Sequence, residues 1–359
     1  MSRYLVRRIL YSIVVLWGVA SLVFFLFNIV PGDPARMVLG QRADSISIAI
    51  VQKDLGLDKP VSLQYLKYLN DLSPLSIHDH DNEESYFWLD ESLYSPITRL
   101  ISVGKYSLVL KVPYLRRSYQ SRKEISGILR ETLPNTLILA ITAIVIASVF
   151  GLLLGIISAL KQNKLTDRLL LLVSTLGMSL PSFFSAILIG WFFAYILGDI
   201  TGLNMTGNLY EVDDFGEGMK LQLRNLVLPA ITLGIRPLSI VLQLSRNSML
   251  DVLSQDYIRT AKSKGAGKFR IIRKHALKNS LNPVITAISG WFASMMAGVV
   301  FVEYIYGYKG MGYILVMALN NYDLPLVLGV VLTIAFIFVI LNIVVDIIYA
   351  YLDPRIHYS

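Results

Sequence analysis

Not one cysteine occurs among the 359 residues, which excludes disulfides and thiolate metal sites and leaves the redox compartment unread. Charge is scarce as well. Asp, Glu, Lys and Arg make up 16% against 54% hydrophobic residues, and mean hydropathy is +0.57. Soluble domains carry roughly a quarter charged residues, so the chain lies outside that class. There is no G-x-x-x-x-G-K-[ST] nucleotide cradle, no nucleophile elbow, no H-E-x-x-H pair and no recognised nucleic-acid module. The net charge of +8 follows membrane sidedness instead of a nucleic-acid footprint. What remains is a membrane protein with no catalytic constellation, no metal site and no cofactor of its own.

Long apolar runs are abundant. The first, Ile9 to Val30, follows Arg3, Arg7 and Arg8 and suffices for a hydrocarbon core of about 30 Å. It is too long for a signal-peptide core and lacks a small-residue cleavage site, so it reads as a retained helix with its N-terminus in the cytosol. Pro31-Gly32-Asp33-Pro34 then stops it. Further runs lie at about 133–160, 169–197, 226–250, 284–305 and 324–352. The expected fold is therefore an all-α polytopic membrane protein with six transmembrane helices and both termini inside. Lys161, Lys164, Arg168 and Arg355 mark cytosolic ends, while Glu211, Asp213, Asp214 and Glu217 suit an outside loop. Pro181 predicts a kink in the third helix. Ser179, Ser182 and Ser185 around it either line a pathway or satisfy backbone groups that the proline frees. Arg236 stands near the middle of the fourth helix and must face protein or water, as a pathway residue or a paired structural arginine. Gly290, Ala293, Ala297 and Gly298 suit close packing of the fifth helix, and Asn342 and Asp346 share one face of the sixth.

The chain divides into 1–30, a long extracytoplasmic segment at 31–132, and a five-helix core at 133–359. The long segment holds thirteen acids and thirteen bases, so charge does not fix its side. Ser45–Leu55 and Ser62–Leu72 read as helices, and Tyr106–Val112 alternates like a strand. His78-Asp79-His80-Asp81 could chelate a metal from an extended loop, but no further ligands accompany it, and a solvated acidic loop is favoured.

One basic stretch, 251–283, dominates the core. Between Asp256 and Lys278 stand Arg259, Lys262, Lys264, Lys268, Arg270, Arg273, Lys274 and Lys278, with Asp256 the single acid. Such a short loop belongs in the cytosol. Tyr257–Lys264 reads as a helix, Gly265 ends it, and Phe269, Ile272 and Ala276 fall at helical spacing afterwards. On charge alone, a basic helix on anionic lipid would explain it.

The ordered residues favour another reading. Arg259-Thr260-Ala261, then Gly265, then His275-Ala276-Leu277-Lys278 resemble the cytoplasmic "EAA" loop of ABC importer permeases. Asp256 and Tyr257, with Lys264 before the glycine, match the oligopeptide/dipeptide branch. Arg259 in place of the acid and Lys278 in place of the proline belong to that branch too. LVRRILYSIVVLWGVASLVFFLFNIVPGDPA, LGLDKPVSLQYLKYL, the 115–135 stretch, GVVFVEYIYGYKGMG and YAYLDPRIHY are similar to the same family. The similarity lapses at about 73–113, an insert that either decorates the outer domain or docks a partner.

The resemblance implies a type I ABC importer permease fold in the bacterial cytoplasmic membrane. It implies that Asp256, Tyr257, Arg259, Thr260, Ala261, Lys264, Gly265, His275, Ala276 and Leu277 seat in an ATPase groove. It further implies a second homologous permease, two ABC ATPases that hold the ATP and magnesium, and a soluble or lipid-anchored binding protein. The expected cargo is a di- or oligopeptide, with nickel chelates or oligosaccharides as alternatives. An ATPase-independent membrane enzyme or assembly factor is the reading from another class. Glu303 is carried over as an outer-gate or packing residue, beside Ser182 and Arg236 as gate or pathway candidates.

Overall fold

The computed structural model describes residues 2–29, 35, 39, 45–54, 56–94, 96–212, 216 and 218–352. The Pro31–Pro34 stop, Asp213, Asp214, Glu217 and Arg355 lie outside the described residues. The chain is mostly helical and forms two compact units.

The unit comprising 1–10, 132–313 and 336–359 holds most of the membrane helices. Three helices are long and apolar enough to span: α4 (Ile125–Leu160), α7 (Arg224–Leu253) and α11 (Leu324–Leu352). Two bent pairs raise this to five, and α1 (Ser2–Ile29) adds the shorter apolar stretch Leu10–Leu26. The count by length and composition is three to five among the described residues, against the six expected. Helix α7 is the central one, 67% buried over its apolar window against 28% for α4. Glycine lets α4 approach it. A Cβ on Gly155 would lie 2.6 Å from the Leu242 carbonyl, and one on Gly234 would lie 2.9 Å from that of Ala143. The fifth helix is looser than its small residues suggested, since a Cβ on Gly298 would make only an ordinary 3.7 Å contact with Leu233.

The expected kink at Pro181 is a full break. Helix α5 (Leu165–Ser179) ends where the Leu180 N–H reaches the Leu176 carbonyl. Leu180 and Pro181 are both extended, and α6 (Ser182–Gly190) leaves at 114°. Proline removes one donor and pushes the preceding residue out of the helical region, so both effects fall on adjacent peptides. A wide turn, Trp191–Ile196, continues α6, with Leu197 N–H bonded to the Phe192 carbonyl. Helix α9 (Leu277–Ile305) follows α8 (Asp256–Ser263) and starts earlier than expected, with Pro283 inside it. An apolar helix not foreseen from the sequence, α10 (Met311–Asn320), occupies what read as a glycine-rich turn and loop.

The unit comprising 11–131 and 314–335 contains α2 (Ser45–Asp54), α3 (Val61–Leu72) and a three-stranded antiparallel sheet. Its strands are β1 (Leu75–Asp79), β2 (Ile97–Val103) and β3 (Tyr106–Lys111), with β3 in the middle. The alternation read at Tyr106–Val112 is this central strand: Ser107, Val109 and Lys111 are buried. Within 73–113, the described residues include this three-stranded layer. Phe24 stacks on Tyr68 at 5.5 Å, and the Ser21 and Tyr65 hydroxyls meet at 2.6 Å.

Candidate functional site

The basic stretch has one face packed and one face free. Ile258, Ile271 and Ala276 are fully buried, clustered with Ala159 at the end of α4 and Met249 near the end of α7. Asp256 and Arg259 point outward, with side chains 93% and 75% exposed. Thr260 is exposed, its hydroxyl turned back to the Asp256 carbonyl, while Lys264 lies exposed at the end of α8. Ala261, His275 and Leu277 are half-buried. Ala261 packs against the inner cluster, so its small size is already needed within the chain. Gly265 has φ +78°, and the bonds Gly265 N–H to Lys262 carbonyl and Ala266 N–H to Ala261 carbonyl close a Schellman turn around it. Tyr257 ties the corner down by accepting a 2.9 Å bond from the Asn279 amide.

A wide turn at Ile271–Ala276 changes the apolar face expected after Gly267. Here the Leu277 N–H reaches back five residues to the Ile272 carbonyl. One extra residue per turn rotates the helix by about 100°. Ile271 and Ala276 are thereby buried, while Phe269, expected on the packed face, is 74% exposed.

Beside this corner, Arg246 grips Asp167 with two parallel bonds, Nε–Oδ1 at 2.7 Å and Nη2–Oδ2 at 2.8 Å. The Ser158 hydroxyl and the Asn163 N–H complete the carboxylate's shell. Arg246 was visible in the sequence as one more helix charge. The missed signal is Asp167, a lone acid among Lys161, Lys164 and Arg168.

Glu303 is fully buried. The Thr136 hydroxyl donates to Oε1 at 2.7 Å, and the N–H groups of Gly312 and Tyr313 donate to Oε2 at 2.7 and 3.2 Å. Gly310 must lack a Cβ, because one would collide with the carboxylate. The carboxylate thus splices the end of α9 to the start of α10. Asp346 pairs with Arg8.

Ser182 begins α6, half-buried, one residue after the break. Ser185 is buried, and the Ser179 hydroxyl returns to the Thr175 carbonyl, which is local backbone satisfaction. Arg236 reaches the same break, its Nε–H donating to the Met178 carbonyl at 3.4 Å, and is otherwise exposed.

The other unit holds a cluster that the sequence did not reveal. Asp71 is 2% exposed and receives Arg116 on Oδ2 and the Tyr94 hydroxyl on Oδ1 at 2.8 Å. Lys67 lies 3.5 Å from Oδ1, and Lys111 donates to the Asp71 backbone carbonyl. Burial lowers the Lys67 pKa and pulls that of Lys111 down to about 8, against the attraction of Asp71. His78 is buried with its Nε2 3.0 Å from the Ser76 hydroxyl, and burial, then Lys67 and Lys111, lower its pKa to about 4. Asp79 accepts from the Asp81 and Asn82 N–H groups. The His-Asp-His-Asp stretch is thus taken up by strand and turn contacts, and no three metal-ligating groups converge among the described residues.

Residues 151–358 match the family described as binding-protein-dependent transport system inner membrane component, and residues 1–80 match its N-terminal companion. The chain belongs to that family. Full-length relatives include a dipeptide transport system permease protein of Alkalihalophilus pseudofirmus at 33% identity and a di/tripeptide transport system permease protein of Pseudomonas aeruginosa at 32%. A glutathione transport system permease protein of Salmonella paratyphi A is 30% identical. Each comparison covers 100% of both chains. A chain of the MetNI methionine ABC transporter in its inward-facing form has a TM-score of 0.51 at 14% identity. It covers 64% of this chain and 98% of that one, and shows the shared type I importer permease fold. As a member of this family, the protein is the multi-pass inner-membrane permease subunit of a binding-protein-dependent ABC importer.

Proposed function

We propose that the permease carries short peptides and that its 251–283 loop transmits ATPase closure to the membrane helices. The supporting observation is the division of the loop itself. Ile258, Ile271 and Ala276 anchor it to the ends of two membrane helices, while Arg259, Thr260 and Phe269 stay free for another protein. A push on the outer face therefore reaches α4 and α7 through packed side chains. The relatives named for dipeptide, di/tripeptide and glutathione transport support a peptide cargo. The proposed complex adds a second homologous permease, two ATPases holding ATP and magnesium, and a soluble or lipid-anchored binding protein. This chain contributes no ATPase site, has six spans, and keeps both termini in the cytosol. Alternating access is then a population shift that ATP binding drives. Ser182 and Arg236 border the pathway at the α5–α6 break, and Glu303 braces its outer end.

Thiol accessibility tests the arrangement, because the chain has no native cysteine. Asn163→Cys and Ser263→Cys should react only with reagents that reach the cytosol, and Asn82→Cys only from outside. Outside labelling of Ser263→Cys would overturn the loop assignment. Import of labelled tri-alanine by the reconstituted complex tests the cargo.

A further inference from the structure

Several charged side chains within the membrane helices of one compact unit are neutralised inside the chain. Asp167 has Arg246, Asp346 has Arg8, and Glu303 has three hydrogen-bond donors. Arg236 differs. Between Leu228 and Arg246 it is the one exposed residue of α7, the most enclosed of the membrane helices. It is the thirteenth of thirty residues, about 18 Å along the axis at 1.5 Å per residue. A guanidinium at that depth is costly against acyl chains and is held where it meets water or an anion.

Among the described residues no carboxylate lies within ion-pair distance of Arg236, and its single hydrogen bond runs from Nε to the Met178 carbonyl. That carbonyl is available because α5 stops at Ser179, so no amide of a continuing helix takes it. The bond anchors the guanidinium at the break. Both Nη groups, which carry four of the five donors of the guanidinium, are left without partners among the described residues. Gly177 and Leu180, which flank Met178, line an apolar cavity of about 410 Å³ with Ile235, Leu238 and Ser239. A charged fork and apolar room therefore adjoin at the same broken helix.

We infer that Arg236 grips the carboxylate of the transported peptide as it passes the α5–α6 break, while apolar side chains of the cargo use the neighbouring cavity. The inference rests on the peptide reading. It makes Arg236 a specificity-determining residue rather than a structural one.

The test uses the complete complex in proteoliposomes. Import of tri-alanine and of tri-alanine amide is measured, each normalised to the amount that the binding protein holds. The wild-type chain should favour the acid at least about tenfold, as expected for a charge-assisted bond. Arg236→Gln should abolish that preference by slowing the acid, and Arg236→Lys should restore part of it. Wild-type import with the same acid-to-amide ratio as Arg236→Gln would overturn the inference and leave the peptide reading standing. Wild-type vesicles that import neither form would refute the peptide reading and the inference with it. A second measurement is independent of cargo: Arg236→Cys should react with a water-soluble methanethiosulfonate sulfonate. Failure to react, while a membrane-permeant maleimide succeeds, would place residue 236 against lipid or a sealed partner interface and overturn the inference.

Discussion

The 251–283 loop and the 31–132 segment both carry dense charge, and they use it in opposite ways. In the loop, Arg259 and its neighbours stand in water and their apolar companions are packed beneath. In the 31–132 segment, Lys67 and Arg116 turn inward onto the buried Asp71 carboxylate, and Lys111 onto the same residue's backbone carbonyl. Exposed charge costs little and stays available to a partner, whereas buried charge is stable only while every member is present. The same residue types thus build an interface in one place and a structural core in the other.

Removing the hub of the buried cluster should break this contrast most severely. Asp71→Ala would leave Lys67 and Arg116 enclosed without their anion, a loss of about 3–5 kcal/mol. Rapid proteolysis between residues 73 and 113 of the purified complex is the expected sign, and wild-type resistance would refute the hub role. Deleting Ser76 to Glu91, by comparison, would remove most of β1 and so is no mild trimming of a loop.

On the loop, Gly265→Val forces a β-branched residue into a left-handed backbone, costing about 1–2 kcal/mol locally. No neighbouring atom lies within 4 Å of the added Cβ, so the strain is conformational and insertion should survive. Import per ATP hydrolysed should fall; an unchanged ratio would sink the coupling role. Phe269→Ala sharpens the comparison, because an exposed aromatic contributes only where a partner covers it. It should weaken ATPase-subunit association several-fold, about 1 kcal/mol, without altering thermal stability. A variant that destabilises the chain but binds normally would place Phe269 in the fold instead.

The gentlest probe is pH. His78 is held neutral, with its folded pKa at about 4 below the ordinary 6.5. Between these values the unfolded chain binds the extra proton, so its contribution to stability is complete above about pH 6.5 and is lost as pH falls towards 4. Protease resistance of the segment should decline over that window, and His78→Gln should flatten the decline. An equal slope in both chains would assign the acid sensitivity to other groups.

Much of this was legible in the sequence, for physical reasons that operate locally. Apolar runs of span length, the basic run at 256–278, the glycine that closes α8 and the alternation of β3 each depend on neighbours within a few residues. The rest depends on contacts made across long separations. Asp71 meets Arg116 45 residues on and Asp167 meets Arg246 79 residues on, while Thr136 finds Glu303 across 167. No periodicity marks such pairs. The wide turn at Ile271–Ala276 was equally hidden: Ile271 joins the packed cluster and Phe269 stays outside it, while Ala276 is buried as its spacing suggested.

What the sequence by itself determined is the class of protein, the apolar helices, the basic character of the loop and the family. Hydropathy, charge asymmetry and short ordered motifs are properties of the chain before it folds. Only the tertiary structure decided which charges are neutralised. Burial removes water from a side chain and demands a partner, and the choice of partner is settled by how the helices pack. That is why the buried Glu303 carboxylate is met by three donors, and why Arg236 stands as an exposed cation midway along a buried helix.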